Sequence, residues 1–376
     1  IGASAVDYSE DLYTYLRITD INDDGTLNVN NLKSINDKNA ERYLLQPNDI
    51  VFARTGNSTG RNYFYDGTDG ILVYAGFLIK FSIDSSKVNP KYIKYYCMSD
   101  EYKGWVQGHL TGSTRGNINA QTYANMEISI PPREQQNRIV SILEELERKR
   151  KNNIAINRNL YEQAVALFEA MYQGYPVKKI GELDIFVTDY VANGSFASLK
   201  ENVTILEEKN YAYFVRNVDL KAKEFPRFVN QHSYEFLSKS KLVGGEVIIS
   251  NVGDVGSVFL CPKLDGPMTL GNNMIMLTSP KHNNYLYLFF KSYIGQGKIG
   301  GITGGSAQPK FNKTDFKSLE INYPDESQVD EFNEKTSALL DMISKLDEEN
   351  KQLTALRDSL LPKLMSGELD VSDLDI

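Results

Sequence analysis

The chain has 376 residues, room for two or three domains with real cores, and an ordinary balance of 41% hydrophobic and 24% charged side chains. Its two cysteines, Cys97 and Cys261, stand in no metal-ligand spacing, which argues against a disulfide framework and fits a reducing, cytoplasmic setting. A net charge of −8 would disfavour a nucleic-acid partner, but the acidic excess is concentrated in residues 325–376 and leaves the rest near neutral.

No apolar run is long enough to cross a bilayer, so no membrane partner is expected, and no signal pattern opens the chain. The first residue is not methionine, which leaves room for residues upstream.

In chain order, Asp49-Ile50-Val51-Phe52-Ala53 reads as a short apolar strand. It runs into Arg54-Thr55-Gly56-Asn57-Ser58-Thr59-Gly60-Arg61, a turn-rich loop with glycines on both sides of polar residues. Ile71 to Phe81 reads as one further strand. Asn89-Pro90 is a helix start, an N-cap followed by proline at the first helical position. Tyr92, Tyr95 and Tyr96 follow at helical spacing, where core packing is the simpler reading than base stacking. Trp105 is likewise assigned to the core ahead of DNA stacking.

Pro131-Pro132 then gives way to a helix from Arg133 to about Met171, before Gly174. Later, Glu246 to Asn251 reads as a strand with the loop Val252 to Ser257. Met268 to Leu277 reads as one strand, and Asn283-Asn284 opens a short helix. Pro324-Asp325-Glu326 opens a second long helix to about Met365, before Gly367. Forty helical residues span about 60 Å, longer than an ordinary globular helix, and point to a coiled coil.

The seam agrees with that. Leu339, Leu346, Leu353 and Leu360 recur every seven residues. Ile139, Leu146, Asn153, Leu160 and Leu167 do the same in the first helix. Such a stripe must be buried against another helix, and the duplicate helix is the nearest candidate. Asn153, if inside, would cost stability while fixing register.

The chain repeats itself. Gly112-Ser113-Thr114 falls on Gly305-Ser306-Ala307 at an offset of 193, and Met126 to Pro131 falls on Leu319 to Pro324. Upstream the offset drifts to about 196–199, where Asp49 to Phe52 matches Glu246 to Ile249 and Arg17 and Asp20 match Arg216 and Asp219. Shared anchors with divergent polar positions imply one scaffold presenting two different surfaces. The second copy opens with Val177 to Asn193, and a matching opening segment is missing before Ile1.

The residues that catalysis needs are not apparent. Neither glycine loop ends in Gly-Lys-Ser/Thr, and His109, His232 and His282 pair with no metal-like partners. Asp-Pro-Pro-Tyr and Asn-Pro-Pro-Tyr methylation motifs are also missing. Asp49 and Glu246 sit at strand starts, where solvation or capping is the default reading.

The run from Gly112 through Met126-Glu127-Ile128-Ser129-Ile130-Pro131-Pro132 into Glu134-Gln135-Gln136-Asn137-Arg138-Ile139-Val140 resembles the end of a target recognition domain in type I restriction-modification specificity subunits. Leu360 to Leu369 resembles the close of that family's second conserved helix, and Phe168 to Gly174 is its first-copy counterpart. Pro324-Asp325-Glu326-Ser327-Gln328 departs from the fuller Pro-Pro-x-Glu-Gln-Gln form at the second helix start.

The resemblance implies an α+β chain: two duplicated mixed α/β target recognition domains separated by two long helices packed as an antiparallel coiled coil. The expected segments are a first recognition domain at 1–132, a spacer helix at 133–173, a second domain at 174–324, a second helix at 325–367 and an acidic tail at 368–376. The same resemblance implies that each domain reads half of an asymmetric, interrupted double-stranded DNA target while the helices set the unread spacer. Two modification subunits would dock and use S-adenosylmethionine. Restriction subunits would supply ATP- and Mg-dependent translocation and cleavage, so this chain itself would be non-catalytic and bind no cofactor. A coiled-coil protein scaffold, or the specificity subunit of a fused restriction-methylation system, remains an alternative.

Base reading needs forked donors and acceptors, and backbone contacts need cations and small donors. In the first domain the candidates are Arg17; Arg54, Asn57, Ser58, Thr59 and Arg61; and Thr111, Ser113, Thr114, Arg115 and Asn117. In the second they are Arg216, Asn251, Asp254, Lys298, Thr303, Ser306, Gln308 and Lys310. For each arginine the competing role is a surface ion pair.

Overall fold

Short β-rich apolar runs broken by glycine turns make small twisted sheets that need helices to cover them. That is the arrangement in the structure, a computed structural model that describes residues 1–110, 116–305 and 307–371. The chain divides into two units, Ile1–Asn152 with Glu349–Ile376, and Asn153–Glu348.

The first unit contains strands Tyr13–Leu16 (β1), Lys33–Ile35 (β2), Asp49–Ala53 (β3), Asn62–Tyr65 (β4), Leu72–Tyr74 (β5) and Leu78–Ser82 (β6). Helices Pro90–Tyr96 (α1), Asp100–Leu110 (α2) and Ala120–Ala124 (α3) follow, then the long helix Arg133–Met171 (α4), which runs on into the second unit. One sheet has the order β2-β1-β5, with β1 parallel to β5. The other is antiparallel in the order β4-β3-β6.

The second unit contains Val177–Lys179 (β7), Phe186–Asp189 (β8), Phe196–Asn202 (α5), Ile205–Leu206 (β9), Ala212–Val215 (β10), Asn217–Ala222 (α6), Phe228–Val229 (β11) and Gln231–Phe236 (α7). Lys241–Leu242 (β12), Val247–Ser250 (β13), Val258–Leu260 (β14), Met268–Leu270 (β15) and Met274–Thr278 (β16) come next. Asn283–Lys291 (α8), Tyr293–Ile302 (α9), Lys313–Lys317 (α10) and Glu320–Asn322 (β17) lead to the second long helix, Glu326–Ser366 (α11), whose last part belongs to the first unit. Its sheets have the orders β12-β15-β10-β11-β9, β14-β13-β16-β8 and β17-β7.

The duplication holds at the level of strand register. Leu16 pairs with Tyr74 in parallel in the first unit, and Val215 pairs with Leu270 in the second. Tyr92 in α1 donates its hydroxyl to Ser129 O (3.2 Å), and Tyr285 in α8 donates to Asn322 O (2.5 Å). Both tyrosines are buried, so each ties a short helix to the segment that feeds a long one. Asp49 and Glu246, both almost fully buried, accept from the backbone N–H three residues upstream, Gln46 (2.8 Å) and Val243 (2.7 Å). They cap the turn that starts the central strand.

One expectation fails in both copies for the same reason. Ile71 to Phe81 is not one strand but β5 and β6, which lie in different sheets, and Met268 to Leu277 likewise splits into β15 and β16. The break falls at Gly76-Phe77 in the first unit and at Gly271-Asn272-Asn273 in the second, where Asn273 adopts φ +63°. An apolar run hides such a corner because residues on either side of it share a core: Leu72 with Leu78, and Leu270 with Met274 and Met276, so the hydrophobicity continues through the change of sheet.

The long helices pair antiparallel within each unit. In the first, Ile139, Val140 and Leu143 of α4 join Leu361 and Leu364 of α11 in one core, while Lys149 pairs with Glu349 further along. In the second, Phe168 of α4 and Phe332 of α11 lie in one core, each against Tyr285, while Asn157 donates to Asp347 Oδ1 (3.0 Å). Of the heptad positions, Ile139, Asn153 and Leu353 are buried; Leu146, Leu160, Leu167, Leu339, Leu346 and Leu360 are half-buried. Each helix also covers a domain core, so its apolar stripe is wider than a two-helix seam. Asp325 and Gln328 make reciprocal backbone hydrogen bonds (3.0 and 2.9 Å), so α11 opens on a capping box despite its shortened motif. Val371, beyond Gly367, is fully buried in the first unit's core.

The glycine loops carry the same backbone. Gly56 and Gly253 have φ +76° and +77°, and Gly60 and Gly256 have φ +92° and +91°. A side chain at Gly60 would also put its Cβ 2.5 Å from Val106 Cγ1, whereas nothing lies within 4 Å of a Cβ at Gly56. Gly60→Ala should therefore lower stability by about 1–3 kcal/mol, and more than Gly56→Ala, which meets only the backbone cost of about 1 kcal/mol. Thermal unfolding of the two variants checks the order; equal midpoints would contradict it.

Candidate nucleic-acid interface

In each unit the central strand ends in a loop that is stitched to the segment following the second short helix. In the first, Thr55 bridges Asn117, Gly56 N donates to Gly116 O (3.1 Å), and Ile118 N donates to Arg54 O (2.9 Å). In the second, Val252 bridges Lys310, Gly253 N donates to Pro309 O (2.8 Å), and Phe311 N donates to Asn251 O (3.1 Å). The hydrogen bonds are the same ones, shifted by the repeat. Two loops far apart in sequence thus form one continuous rim in each unit.

The last glycine of each loop is pinned from the second short helix. Tyr102 donates its hydroxyl to Gly60 O (2.6 Å), and Gln296 donates its amide to Gly256 O (2.9 Å). Sequence reasoning missed both; a tyrosine and a glutamine at near-equivalent positions gave no shared residue type to follow. Trp105 is half-buried with its ring 6.3 Å from Tyr102 and 5.5 Å from Tyr123.

On the first rim, Asn57 and Asn117 are exposed, Ser58 and Arg54 half-buried, and Thr59 buried. The Thr59 hydroxyl lies 2.7 Å from Gly56 O and 3.1 Å from Gly116 O, so it serves the stitch itself. Arg61 reaches back to the loop after β1, with Nε donating to Asp23 Oδ1 (2.5 Å) and Nη1 to Ile21 O (3.3 Å). Arg54 has no side-chain partner among the described residues. Thr111, Ser113, Thr114 and Arg115 lie outside the described residues.

On the second rim, Gln308 and Lys310 are exposed, and Lys298 is half-buried on α9. Thr303 donates its hydroxyl to Ile299 O (2.7 Å) and finishes that helix. The Asn251 amide donates to Phe311 O (3.2 Å), while its Oδ1 is buried without a partner. Ser306 lies outside the described residues.

Asp254 is the most heavily engaged of the candidates. It accepts from Asn217 Nδ2 (3.0 Å) and Ser257 Oγ (2.6 Å), and it pairs with Lys221 Nζ (2.6 Å). Asn217, then Lys221 and Ser257, hold its carboxyl down at about 2. The first unit has the matching latch with its polarity exchanged. There the cation, Arg61, is on the glycine loop and the carboxylate, Asp23, is on the segment after β1. In the second the carboxylate is on the loop and Lys221 is on α6.

Arg17 and Arg216 are each committed to a local partner. Arg17 Nε and Nη2 donate to Asp20 Oδ2 (2.8 Å) and Oδ1 (2.6 Å), and Asp20 also accepts from Arg17 N (2.9 Å). Arg216 repeats this on Asp219 at 2.9, 2.6 and 3.0 Å. Both carboxylates are nearly fully buried. A forked pair of this kind fixes the turn after the parallel strand and leaves the guanidinium edge engaged.

Among the described residues no group of three or more His, Cys, Asp or Glu is placed to hold a metal ion, and no helix is long and apolar enough to cross a membrane.

Two outcomes follow from these contacts. Arg17→Ala and Arg216→Ala each strip a buried carboxylate of its guanidinium but leave its backbone N–H donor, and should cost about 1–3 kcal/mol of stability while leaving base preference unchanged; denaturant unfolding beside a binding profile checks this. The depressed Asp254 carboxyl contributes stability that is full above the ordinary carboxylate range and is lost as pH falls from about 4 towards 2. Asp254→Asn should remove that part of the acid-unfolding profile, and an identical profile would contradict the latch.

The model for the type I restriction modification DNA specificity domain matches residues 6–161 and 175–356. A type I restriction enzyme HindI specificity subunit of Haemophilus influenzae is 21% identical over 96% of this chain and 96% of its own length. A protein of Methanocaldococcus jannaschii described as a putative type I restriction enzyme MjaX specificity subunit is 21% identical over 96% of this chain and 88% of its own. Among solved structures, the type I restriction-modification S subunit from M. genitalium shares the fold with a TM-score of 0.55, at 16% identity, over 96% of this chain and 92% of that one. With two matched regions that take in both repeated rims, the chain belongs to the type I restriction modification DNA specificity domain family.

Proposed function

We propose that this DNA-specificity subunit divides its reading between its two rims, each taking one half of an asymmetric, interrupted duplex target. The observation that carries this is one backbone stitch bearing different side chains. Arg54 stands where the second unit has Asn251, and Asn117 stands where it has Lys310. Arg54 and the exposed Asn117 offer the first rim a guanidinium and an amide, whereas Asn251 is held on Phe311 O and the exposed Lys310 offers the second rim a cation, so like scaffolds present unlike readers.

In this reading the recognition domains are 1–132 and 174–324, and the helices 133–173 and 325–367 set the number of unread base pairs. Two modification subunits dock and supply S-adenosylmethionine chemistry, and restriction subunits supply ATP- and Mg-dependent cleavage. The chain contributes no reacting group. Among the described residues, Asn57, Ser58 and Asn117 with Arg54, and Gln308, Lys310 and Lys298, are the candidates left available for DNA, while Asn251 is held on Phe311 O. Arg17, Arg216, Thr59, Arg61, Thr303 and Asp254 hold the rims in shape.

The test is binding by the chain assembled with its cognate modification subunit, across duplexes altered in one half or the other and at several salt concentrations. A steep fall with salt is expected, with unequal half-sites. Arg54→Ala should cost about 1–3 kcal/mol on the cognate duplex and flatten the preference in the first half only. Equal loss on both halves, or identical half-sites, would count against the division.

A further inference from the structure

The corner that splits β5 from β6, and β15 from β16, places a third element on each rim. Its carbonyl accepts from the first residue after the central strand: Arg54 N to Phe77 O (3.0 Å), and Asn251 N to Asn273 O (3.1 Å). Arg54 and Asn251 are therefore held between this tip and the stitched loop, Ile118 on one side and Phe311 on the other. The tip is thus tied by its backbone to the same strand end as the loops proposed for DNA.

Its side chains differ between the units. Phe77 is 61% exposed, on a corner where Leu78 N closes a turn onto Ala75 O (2.9 Å). In the second unit the corner carries Asn272 and Asn273, both exposed, with Asn273 in left-handed backbone. A single exposed apolar residue is ordinary on a protein surface. Phe77 is distinguished by its place: it borders Arg54 on the rim, and its duplicate position holds an amide instead of another aromatic.

We propose that Phe77 is a specificity-determining residue of the first rim, making an apolar contact with the bases beside those that Arg54 reads. Phenylalanine has no hydrogen-bonding group, so it can discriminate only through apolar surface. The available chemistry is the thymine C5-methyl in the major groove or the face of a base pair opened by a wedge. Asn272 and Asn273 supply an amide at the same place in the second unit, which makes the tips a further source of half-site inequality. This rests on the half-site reading above.

The experiment uses the chain assembled with its modification subunits. Wild type, Phe77→Ala and Phe77→Leu are titrated against duplexes with each base pair of both halves substituted in turn. Phe77→Ala is expected to bind the cognate duplex about tenfold more weakly and to lose preference at one or two adjacent pairs of the first half. Phe77→Leu should keep most of that preference, and the second-half profile should not move. Thymine-to-uracil replacement at those pairs separates the two contacts. If the methyl is read, uracil weakens wild type and no longer matters in Phe77→Ala. If the tip wedges, 2-aminopurine placed there brightens on wild-type binding and stays dim with Phe77→Ala.

Uniform weakening on every duplex, or no change at all, would overturn the proposal. A drop in unfolding temperature in both variants with an unchanged base profile would overturn it too, and assign Phe77 to the fold. A wild-type complex without any half-site preference would instead overturn the division of reading on which the proposal depends.

Discussion

Both rims hang on one backbone junction. Beyond the end of a buried strand, the N–H of Gly56 and of Gly253 reaches Gly116 O and Pro309 O, and both glycines take the left-handed backbone that glycine adopts at little cost. Once that bond forms, the glycine loop and the loop after the second short helix become one rim. Tyr102 and Gln296 close it from behind. Because main-chain atoms do most of the joining, the exposed rim side chains, such as Asn57, Asn117, Gln308 and Lys310, can vary without loosening it, whereas Thr59 helps to make the joint. That is the physical condition for one scaffold to carry two specificities.

The polar groups behind the rim follow the same logic. The buried carboxylates each serve a fixed local contact. Asp20 and Asp219 hold their arginines, and Asp49 and Glu246 cap the turn into the central strand. The outer latch is less constrained. Arg61 with Asp23 and Asp254 with Lys221 place opposite charges on opposite partners. An exposed ion pair can exchange polarity at little cost, because only the pairing matters to the loop it steadies. Exchanging one member between the copies would put like charges together, so the two rims are not interchangeable residue by residue.

Much of this was legible in the chain. Matches at offsets of 193 and 196–199 located both copies, and the drift reflects real loop-length differences: Gly56 and Gly60 are four apart, Gly253 and Gly256 three. The long helices and the buried Asn153 were readable from the heptad spacing. The corner at Phe77 was not, because Leu72 and Leu78 on its two sides share one core, so the apolar run continues through a change of sheet. Nor were the partners of Arg61 and Asp254, which lie 38 and 37 residues away and are set by folding alone. Arg17 and Arg216 invited a DNA role because they recur. Their recurrence is equally that of a shared turn, and the carboxylate three residues on was the signal for it.

The most direct measurement is a base-resolution methylation map of DNA from cells expressing this chain with its cognate modification subunit. A single interrupted motif with two unlike halves, of which replacing the first rim changes only one, is the predicted result. A motif with identical halves, or none at all from a complex shown to assemble, would contradict the account of two independent rims on one repeated backbone.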